Sequence, residues 1–387
     1  MKGDLLRMGM VGGGPGAFIG DVHRRAARLD GGIEPVAGAF SRDPKKSRRT
    51  GRELGLDPRR VYADAETMIE REAALPEDER IDFVTICTPN DSHFPLAKAF
   101  LEAGFHVMCE KPMTLTVEEA ESLKRLVRKT RRTFGLMHNY VGYPMVKLAR
   151  DLVRRGETGR IRKVVAEYSQ GWLARPIERE GQRQAAWRTD PKRSGAGGCL
   201  GDIATHAAHL AEYVTGLSVR EVAADLTTFV KGRRLDDDVN LLLRLSKGAK
   251  GVLHASQVAV GRENGLSIHV YGEDGALAWH QERPNELRVE RLGEPTRVWR
   301  RGNDYVAAES PAAARATRLP CGHPEAFIEA FANVYLNFAD TIRHRARREK
   351  TPEVVADFPG VADGLAGMKF IAAAVRSNAN NAAWEKL

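Results

Sequence analysis

The stretch that most limits what this chain can fold into lies near its start. Leu6 to Val11 is a short apolar run, and it leads into Gly12-Gly13-Gly14-Pro15-Gly16-Ala17-Phe18-Ile19-Gly20 and then a helical pattern from Asp21 to Leu29. An apolar run that stops at glycines is how a buried parallel strand ends. Strand, glycine turn and helix in that order let a backbone approach a pyrophosphate, whose charge the helix N-terminus favours. Gly12 and Gly14 fit the first two positions of a dinucleotide-binding loop. The third is Ala17 or, after a two-residue insertion, Gly20. Gly12, Gly14, Gly16, Ala17, Phe18 and Ile19 are therefore expected around a cofactor's phosphates, although the same glycines would also suit an ordinary turn.

A second strand, Glu34 to Phe40, ends in Ser41-Arg42-Asp43, about where an acidic residue would grip an adenosine ribose. A hydroxyl and a guanidinium suit a 2′-phosphate, so Ser41 and Arg42 favour NADP over NAD. Asp43 before Pro44 is also a good helix start, and it remains within reach of the ribose. The alternation continues through helix 64–71, a polar insertion at Leu75 to Glu79, strand 82–87, helix 92–103, strand 105–109, helix 117–130 and strand 133–137. Strands alternating with helices predict a doubly wound parallel sheet, whose ligands sit beyond the carboxyl ends of the strands. Three stretches fall at those ends: Thr88-Pro89-Asn90 with His93, Glu110-Lys111-Pro112, and His138-Asn139-Tyr140. A lysine at such an edge points into a ligand crevice, where an ammonium can hydrogen-bond a hydroxyl and ease its ionisation. A surface lysine in a strand–helix loop is the plainer reading of Lys111 taken alone.

After Thr158 the texture changes. Strand-like runs at 162–171, 218–230, 238–245, 250–258, 265–271 and 275–280 close at turns such as Lys247-Gly248, and few helices separate the later ones. This predicts a mainly antiparallel sheet. A helix from Gly198 to Val214 is expected to cover it, segments 174–195 and 292–320 read as loops, and two helices (324–346 and 359–376) close the chain. The covering helix opens with Ser194-Gly-Ala-Gly-Gly and carries Asp202, His206 and His209, at spacings that share one helical face. A carboxylate and an imidazole held side by side can orient and move a proton near neutral pH. Metal binding is the competing use of such a face, but no cysteine or further carboxylate completes a ligand set. His209, one turn deeper, reads as a packing residue.

At 387 residues, two domains are expected: 1–140 for the dinucleotide and 141–387 as an α+β domain for substrate and subunit contacts. The formal charge is +9, but the arginines are interleaved with acids and no aromatic-studded basic stripe accompanies them, which argues against nucleic acid. Four cysteines without paired spacing suggest neither a disulfide framework nor a zinc knuckle. The N-terminus lacks a signal-peptide apolar region and no run reaches the length of a membrane span, so a cytoplasmic protein is expected.

The ordered set GGGPGAFIG, TPNDSH, EKP, WRTDP and GGCLGDIATH, followed by GHPEAFIEAF and DFPGVADGLAGMKFI, resembles the glucose–fructose oxidoreductase / inositol dehydrogenase / rhizopine catabolism (Gfo/Idh/MocA) family over nearly the whole chain. The resemblance implies an NAD(P)-dependent oxidoreductase acting on a sugar, glycoside, cyclitol or related polyol, built as a Rossmann domain plus an α+β domain with a large open sheet. It implies that His206 is the general acid/base, that Lys111 hydrogen-bonds the same oxygen, and that Asp202 binds substrate or orients the histidine. Thr88, Pro89, Asn90, His93 and Glu110 join Lys111 on the cofactor side; Asn139, Tyr140, Trp187 and Arg188 line the substrate side. No metal is implied, and a homodimer or homotetramer through the sheet is. The chain departs from the family pattern in the insertion at Pro15-Gly16 and in Val141-Gly142, where an arginine often follows. Two other outcomes of the same fold are a redox-neutral enzyme (glycoside hydrolase or epimerase) that keeps its nicotinamide bound, and a non-catalytic sensor. Retention of Lys111, Asp202 and His206 argues against the sensor.

Overall fold

A computed structural model describes residues 5–387; Met1 to Asp4, part of the N-terminal stretch read for a signal peptide, lie outside it. The described chain divides into two compact units, the first made of the residues up to Met137 with Phe331–Leu365 and the second of His138–Ala330 with Ala366–Leu387. The sequence expectation had a single boundary after Tyr140. The return of 331–365 to the first unit is invisible to a linear reading because it is a tertiary contact.

The first unit holds strands β1 (Leu6–Gly12), β2 (Ile33–Ala39), β3 (Phe83–Cys87), β4 (His106–Cys109) and β5 (Phe134–Leu136), in the order β2-β1-β3-β4-β5 with every pair parallel. β3 is buried along its whole length, which is why it reads as an unbroken apolar run. Helices Pro44–Glu53, Ala65–Ala73 and Val117–Thr130 start on side-chain caps. Asp43 accepts from the amides of Lys45 and Lys46, Asp64 from Thr67, and Thr116 from Glu119, while the Glu119 carboxylate reaches back to the Leu115 amide. The returning segment completes the core. Tyr335 donates to or accepts from Thr85 Oγ1 at 2.9 Å, Phe338 meets Phe83 edge-on at 5.2 Å, and the Leu136 amide donates to the Pro359 carbonyl at 2.8 Å.

The second unit is built on strands β6 (Ile161–Ser169), β7 (Val219–Thr227), β8 (Asp238–Leu245), β9 (Lys250–Ser256), β10 (Gly265–Gly272), β11 (Gly275–His280), β12 (Glu286–Arg291), β13 (Arg297–Arg300) and β14 (Glu385–Lys386). They form one sheet in the order β13-β12-β11-β10-β6-β9-β8-β7-β14, in which β6 and β9 run parallel and all other pairs antiparallel. Helices Pro144–Arg154 and Thr205–Thr215 pack on one face. On the other face the alternation leaves apolar side chains uncovered: in β8, Leu241 and Leu243 are buried while Leu242 is 53% exposed.

Two segments expected as loops carry regular structure. The first contains helices Arg183–Arg188 and Pro191–Ser194, started by the side chains of Gln182 and Asp190. The second contains β13 and helices Asp304–Glu309 and Pro311–Arg315. β12 and β13 are missed by a hydrophobicity reading because their outward positions are charged, as suits strands at a sheet edge. The helix expected from Gly198 begins instead as one π-helical turn, Leu200–Ala204, and becomes α-helical at Thr205. Among the described residues no helix is long and apolar enough to cross a membrane.

Candidate active site

In the first unit, Gly12, Gly13 and Gly16 hold φ of +87°, +70° and +78°, a region glycine occupies without strain. A Cβ on Gly14 would stand 2.5 Å from the Phe40 carbonyl oxygen, and one on Gly20 2.3 Å from Gly13 Cα. Gly20 thus makes the close helix–loop approach for which Ala17 was the alternative. Helix Phe18–Arg28 begins at Ala17, which has no side chain that could occupy the helix's first amides. Arg24 ties the loop down by donating Nη1 to the Gly13 carbonyl at 2.9 Å. A loop that a Cβ would obstruct, opening a helix with no acidic or hydroxyl cap, fits a dinucleotide pyrophosphate.

At the end of β2, Asp43 Oδ1 accepts from the Lys45 amide at 2.9 Å, so its carboxylate serves the following helix. Ser41 Oγ accepts from the Asp43 amide at 3.1 Å. The Arg42 side chain is 82% exposed, with a nitrogen 3.8 Å from an Asp91 oxygen. Beyond β3, Thr88 Oγ1 accepts from Ser92 Oγ at 2.7 Å, and Pro89 leads into a short turn holding buried Asn90.

Two of the expected cofactor contacts have different work. His93 is fully enclosed, with Nδ1 2.8 Å from the Pro112 carbonyl and Nε2 2.9 Å from the Thr88 carbonyl. It braces the loops after β3 and β4 against one another, and burial pulls its imidazole below the usual value. Glu110 faces inward too: Oε1 lies 2.9 Å from His23 Nε2, and Oε2 accepts the Lys111 amide at 3.0 Å. Burial alone would raise its pKa, but the His23 hydrogen bond and charge, with Lys111, hold it below the ordinary carboxylate value. His23 Nδ1 in turn meets Tyr335 Oη at 2.7 Å. Glu110 therefore anchors the backbone of Lys111, whose peptide bond to Pro112 is cis.

In the second unit, the glycine-led turn is held by Asp236. Its Oδ1 accepts the Gly198 amide at 2.8 Å, its Oδ2 the Leu200 amide at 2.6 Å, and its carbonyl the Cys199 amide at 2.9 Å. A Cβ on Gly198 would fall 2.2 Å from the Asp236 carbonyl oxygen, so this approach requires glycine. Burial pushes the Asp236 carboxyl up to about 6, against the two amide bonds that favour its charge.

Asp202, in the π-turn, accepts at Oδ2 from Arg188 Nε at 3.1 Å and from Gln257 Nε2 at 2.8 Å. Arg188 lies over the Trp187 ring at 4.2 Å, and its Nη1 donates to Gln184 Oε1 at 2.8 Å, so the expected Trp-Arg pair holds Asp202 in place. His206 is buried. Its Nδ1 is 3.3 Å from His138 Nδ1, and the edge of its ring packs against Tyr140, centroids 4.9 Å apart at 85°. Tyr140 Oη is hydrogen-bonded to Tyr168 Oη, which donates to Asn264 Oδ1 at 2.7 Å. Asn139 is buried beside them in sequence, its Nδ2 without a hydrogen-bond partner. His209 stacks flat on His138 at 4.2 Å, in keeping with a packing role.

Within this unit Asp202 binds Arg188, Arg188 lies over Trp187, and His206 packs on Tyr140; the sequence gives no role to Tyr168, Gln257 or Asp236, and marks His138 only by its place at a strand end. Tyr168 and Gln257 were findable in principle. β6 and β9 are parallel with Ser169 opposite Ser256, and both residues fall at the carboxyl ends of that pair. A cavity of about 600 Å3 between Phe229, His254 and Val260 is lined by none of the predicted site residues.

Compared with known proteins, residues 6–138 match the oxidoreductase family with an NAD-binding Rossmann fold, and residues 146–278 match the GFO/IDH/MocA C-terminal domain. The chain belongs to the GFO/IDH/MocA oxidoreductase family. An uncharacterized oxidoreductase of Bacillus subtilis (strain 168), YfiI, is 33% identical over 385 residues, covering 98% of this chain and 96% of the relative. The levoglucosan dehydrogenase of Pseudarthrobacter phenanthrenivorans is 30% identical, over 73% of this chain and 76% of the relative. The crystal structure of an inositol dehydrogenase homologue from Azotobacter vinelandii, complexed with NADH and myo-inositol, superposes with a TM-score of 0.91 at 34% identity, covering 100% of this chain and 98% of that one. As a GFO/IDH/MocA member the chain is an oxidoreductase, its glycine loop is that of an NAD-binding Rossmann domain, and its second sheet is the mixed, mostly antiparallel sheet of the family.

Proposed function

We propose that this protein is a dehydrogenase or reductase that interconverts a secondary alcohol and a ketone on a sugar, glycoside or cyclitol. The observation that carries the reading is the second unit's buried Asp202–His206 helix: one residue is fixed by Arg188 and Gln257, the other by a hydrogen bond shared with a neighbouring imidazole. Relatives named for levoglucosan and inositol supply the substrate class. A bound nicotinamide would accept or donate the hydride. His206 takes the hydroxyl proton in oxidation and returns it in reduction, as a buried imidazole near neutral pH can. Lys111 donates a hydrogen bond to the same oxygen and favours its developing negative charge. Asp202 binds a neighbouring substrate hydroxyl or orients His206; Asn139, Tyr140, Trp187 and Arg188 complete the substrate side. Gly12, Gly14, Gly16, Ala17, Phe18 and Ile19 hold the cofactor's phosphates, and Thr88, Pro89 and Asn90 its nicotinamide side.

At the adenosine end the reading favours NADP. Asp43 caps a helix, which leaves Ser41 and exposed Arg42 to meet a 2′-phosphate. The uncovered apolar face of the sheet suits a second copy of the chain, as a homodimer or homotetramer, and light scattering on the purified protein would read the mass.

The test is a dye-coupled panel of myo-inositol, levoglucosan and free sugars with NAD and NADP. Lys111→Ala and His206→Ala are expected to lower turnover of the responding compound by about 100-fold or more while cofactor affinity changes little. Near wild-type turnover in either variant removes that residue's role. Arg42→Ala should weaken NADP much more than NAD; equal loss would remove the NADP preference.

A further inference from the structure

His138 stands at the end of β5 and nothing so far gives it a task. It is buried, and two imidazole rings pack against it. His206 lies across it in a T-shape, centroids 5.2 Å apart at 88°, with the two Nδ1 atoms 3.3 Å apart. On its flat face His209 stacks at 4.2 Å and 17°. Beyond His209 is Tyr213, 6.4 Å away, whose hydroxyl accepts from Arg150 Nη1 at 2.6 Å and Lys147 Nζ at 3.3 Å. The rings of Tyr140 and Tyr168 also pack against His206, and Asp202 stands one turn earlier on its own helix.

A neutral imidazole carries one N–H and one lone pair, so a hydrogen bond between two Nδ1 atoms links the tautomers of both rings. If His206 donates from Nδ1, His138 accepts there and keeps its own proton on Nε2; the reverse arrangement would put the lone pair of His206 at Nδ1 and a proton at Nε2. Only the first leaves Nε2 of His206 basic. In that arrangement His138 is the hydrogen-bond acceptor of the pair.

We propose that His138 is a positioning residue for the reaction: its bare Nδ1 accepts the Nδ1–H of His206 and so presents Nε2 of His206 as the proton-accepting atom. This rests on the reading of His206 as general base. In the oxidation direction the substrate O–H proton moves to Nε2 and the Nδ1–H bond to His138 becomes charge-assisted as His206 turns into an imidazolium; a bound oxidised nicotinamide would take the hydride from the carbon that carries that oxygen. Stacking on His209 holds the His138 ring plane so that this acceptor does not rotate away.

The experiment compares His138→Phe, which keeps a flat ring against His209 but has no acceptor, with His138→Asn, whose side-chain oxygen falls near the position of Nδ1. Long-range proton–nitrogen spectra of 15N-histidine-labelled protein, with His206→Gln to identify the signal, report the tautomer without any substrate. The wild type is expected to show His206 protonated at Nδ1, and His138→Phe to shift that population towards Nε2–H. With myo-inositol and the other panel compounds, His138→Phe should lower kcat by about 10–100-fold and displace its pH profile, with KM changed less than about threefold, and His138→Asn should recover most of the loss. A wild-type His206 protonated at Nε2, an unchanged spectrum in His138→Phe, or equal losses in Phe and Asn variants would each overturn the proposal. Retained turnover in His206→Ala is a separate result. It defeats the general-base reading and leaves the tautomer measurement to judge His138 alone.

Discussion

Asp236 offers a quantitative check on how the helix bearing Asp202 and His206 is held. Asp236→Ala removes both acceptors from the Gly198 and Leu200 amides, which are buried. Each stranded donor costs about 1–3 kcal/mol, so the loss is about 2–6 kcal/mol, less whatever an entering water restores. For a unit of this size each kcal/mol moves the melting temperature by about 2–4 °C, and a drop of about 8–16 °C is the central expectation. The pH dependence is the sharper part. Burial raises the folded-state carboxyl to about 6, from 3.8. A raised folded value means the native state keeps a proton the unfolded chain has already lost. The stabilisation from this group is therefore complete below about pH 4, declines as pH rises towards 6, and is gone above. Asp236→Asn cannot titrate. Between pH 4 and pH 7 the wild type should lose about 2–3 kcal/mol relative to the Asn variant. Thermal or urea melts of the three proteins at half-unit pH steps measure both effects. A wild-type-minus-Asn difference that stays flat across that range would refute the buried, proton-retaining carboxyl. An Ala variant as stable as wild type would refute the anchoring role.

Two further substitutions test other parts of the frame. Gly20→Ala puts a methyl 2.3 Å from Gly13 Cα and must displace the phosphate loop, so fluorescence titration should show NAD(P)H affinity reduced by about tenfold or more. Arg60→Ala leaves the fully buried Glu72 carboxylate with only the Tyr62 hydroxyl and the Ile81 amide; the expected loss is about 3–5 kcal/mol in a melt, and Arg60→Lys should recover part of it.

What could be read from the chain beforehand follows from where each signal lives. β1, β3 and the helix after the glycine loop announce themselves locally, through apolar runs, glycines and caps such as Asp64 and Thr116. β12 and β13 do not, because Glu286, Arg288, Arg297 and Arg300 give an edge strand the composition of a loop. The Asp202–His206 pair was visible as a spacing, but its π-turn was not, since that depends on Asp236 reaching back from about a tenth of the chain away to bind the Gly198 and Leu200 amides. His93 and Glu110 sit at strand ends, the right addresses for ligand contacts, and only the partners in space (Pro112, Thr88 and His23) show that they work behind the loop surface. His138 is the same lesson reversed: its place at a strand end marks the stretch, and only the ring opposite it suggests a task.

The return of residues 331–365 to the first unit carries a practical consequence for anyone taking the protein apart. A fragment cut after Tyr140 would contain every cofactor motif, yet it would leave the Thr85 hydroxyl, the His23 ring and the Phe83 side chain facing water in place of Tyr335 and Phe338. Such a piece is expected to aggregate, whereas one carrying 331–365 on a flexible tether has its core complete. The same holds across evolution: this cofactor module can be traded between relatives only as two stretches of gene inherited together, and a recombination point placed at the apparent domain border would break it.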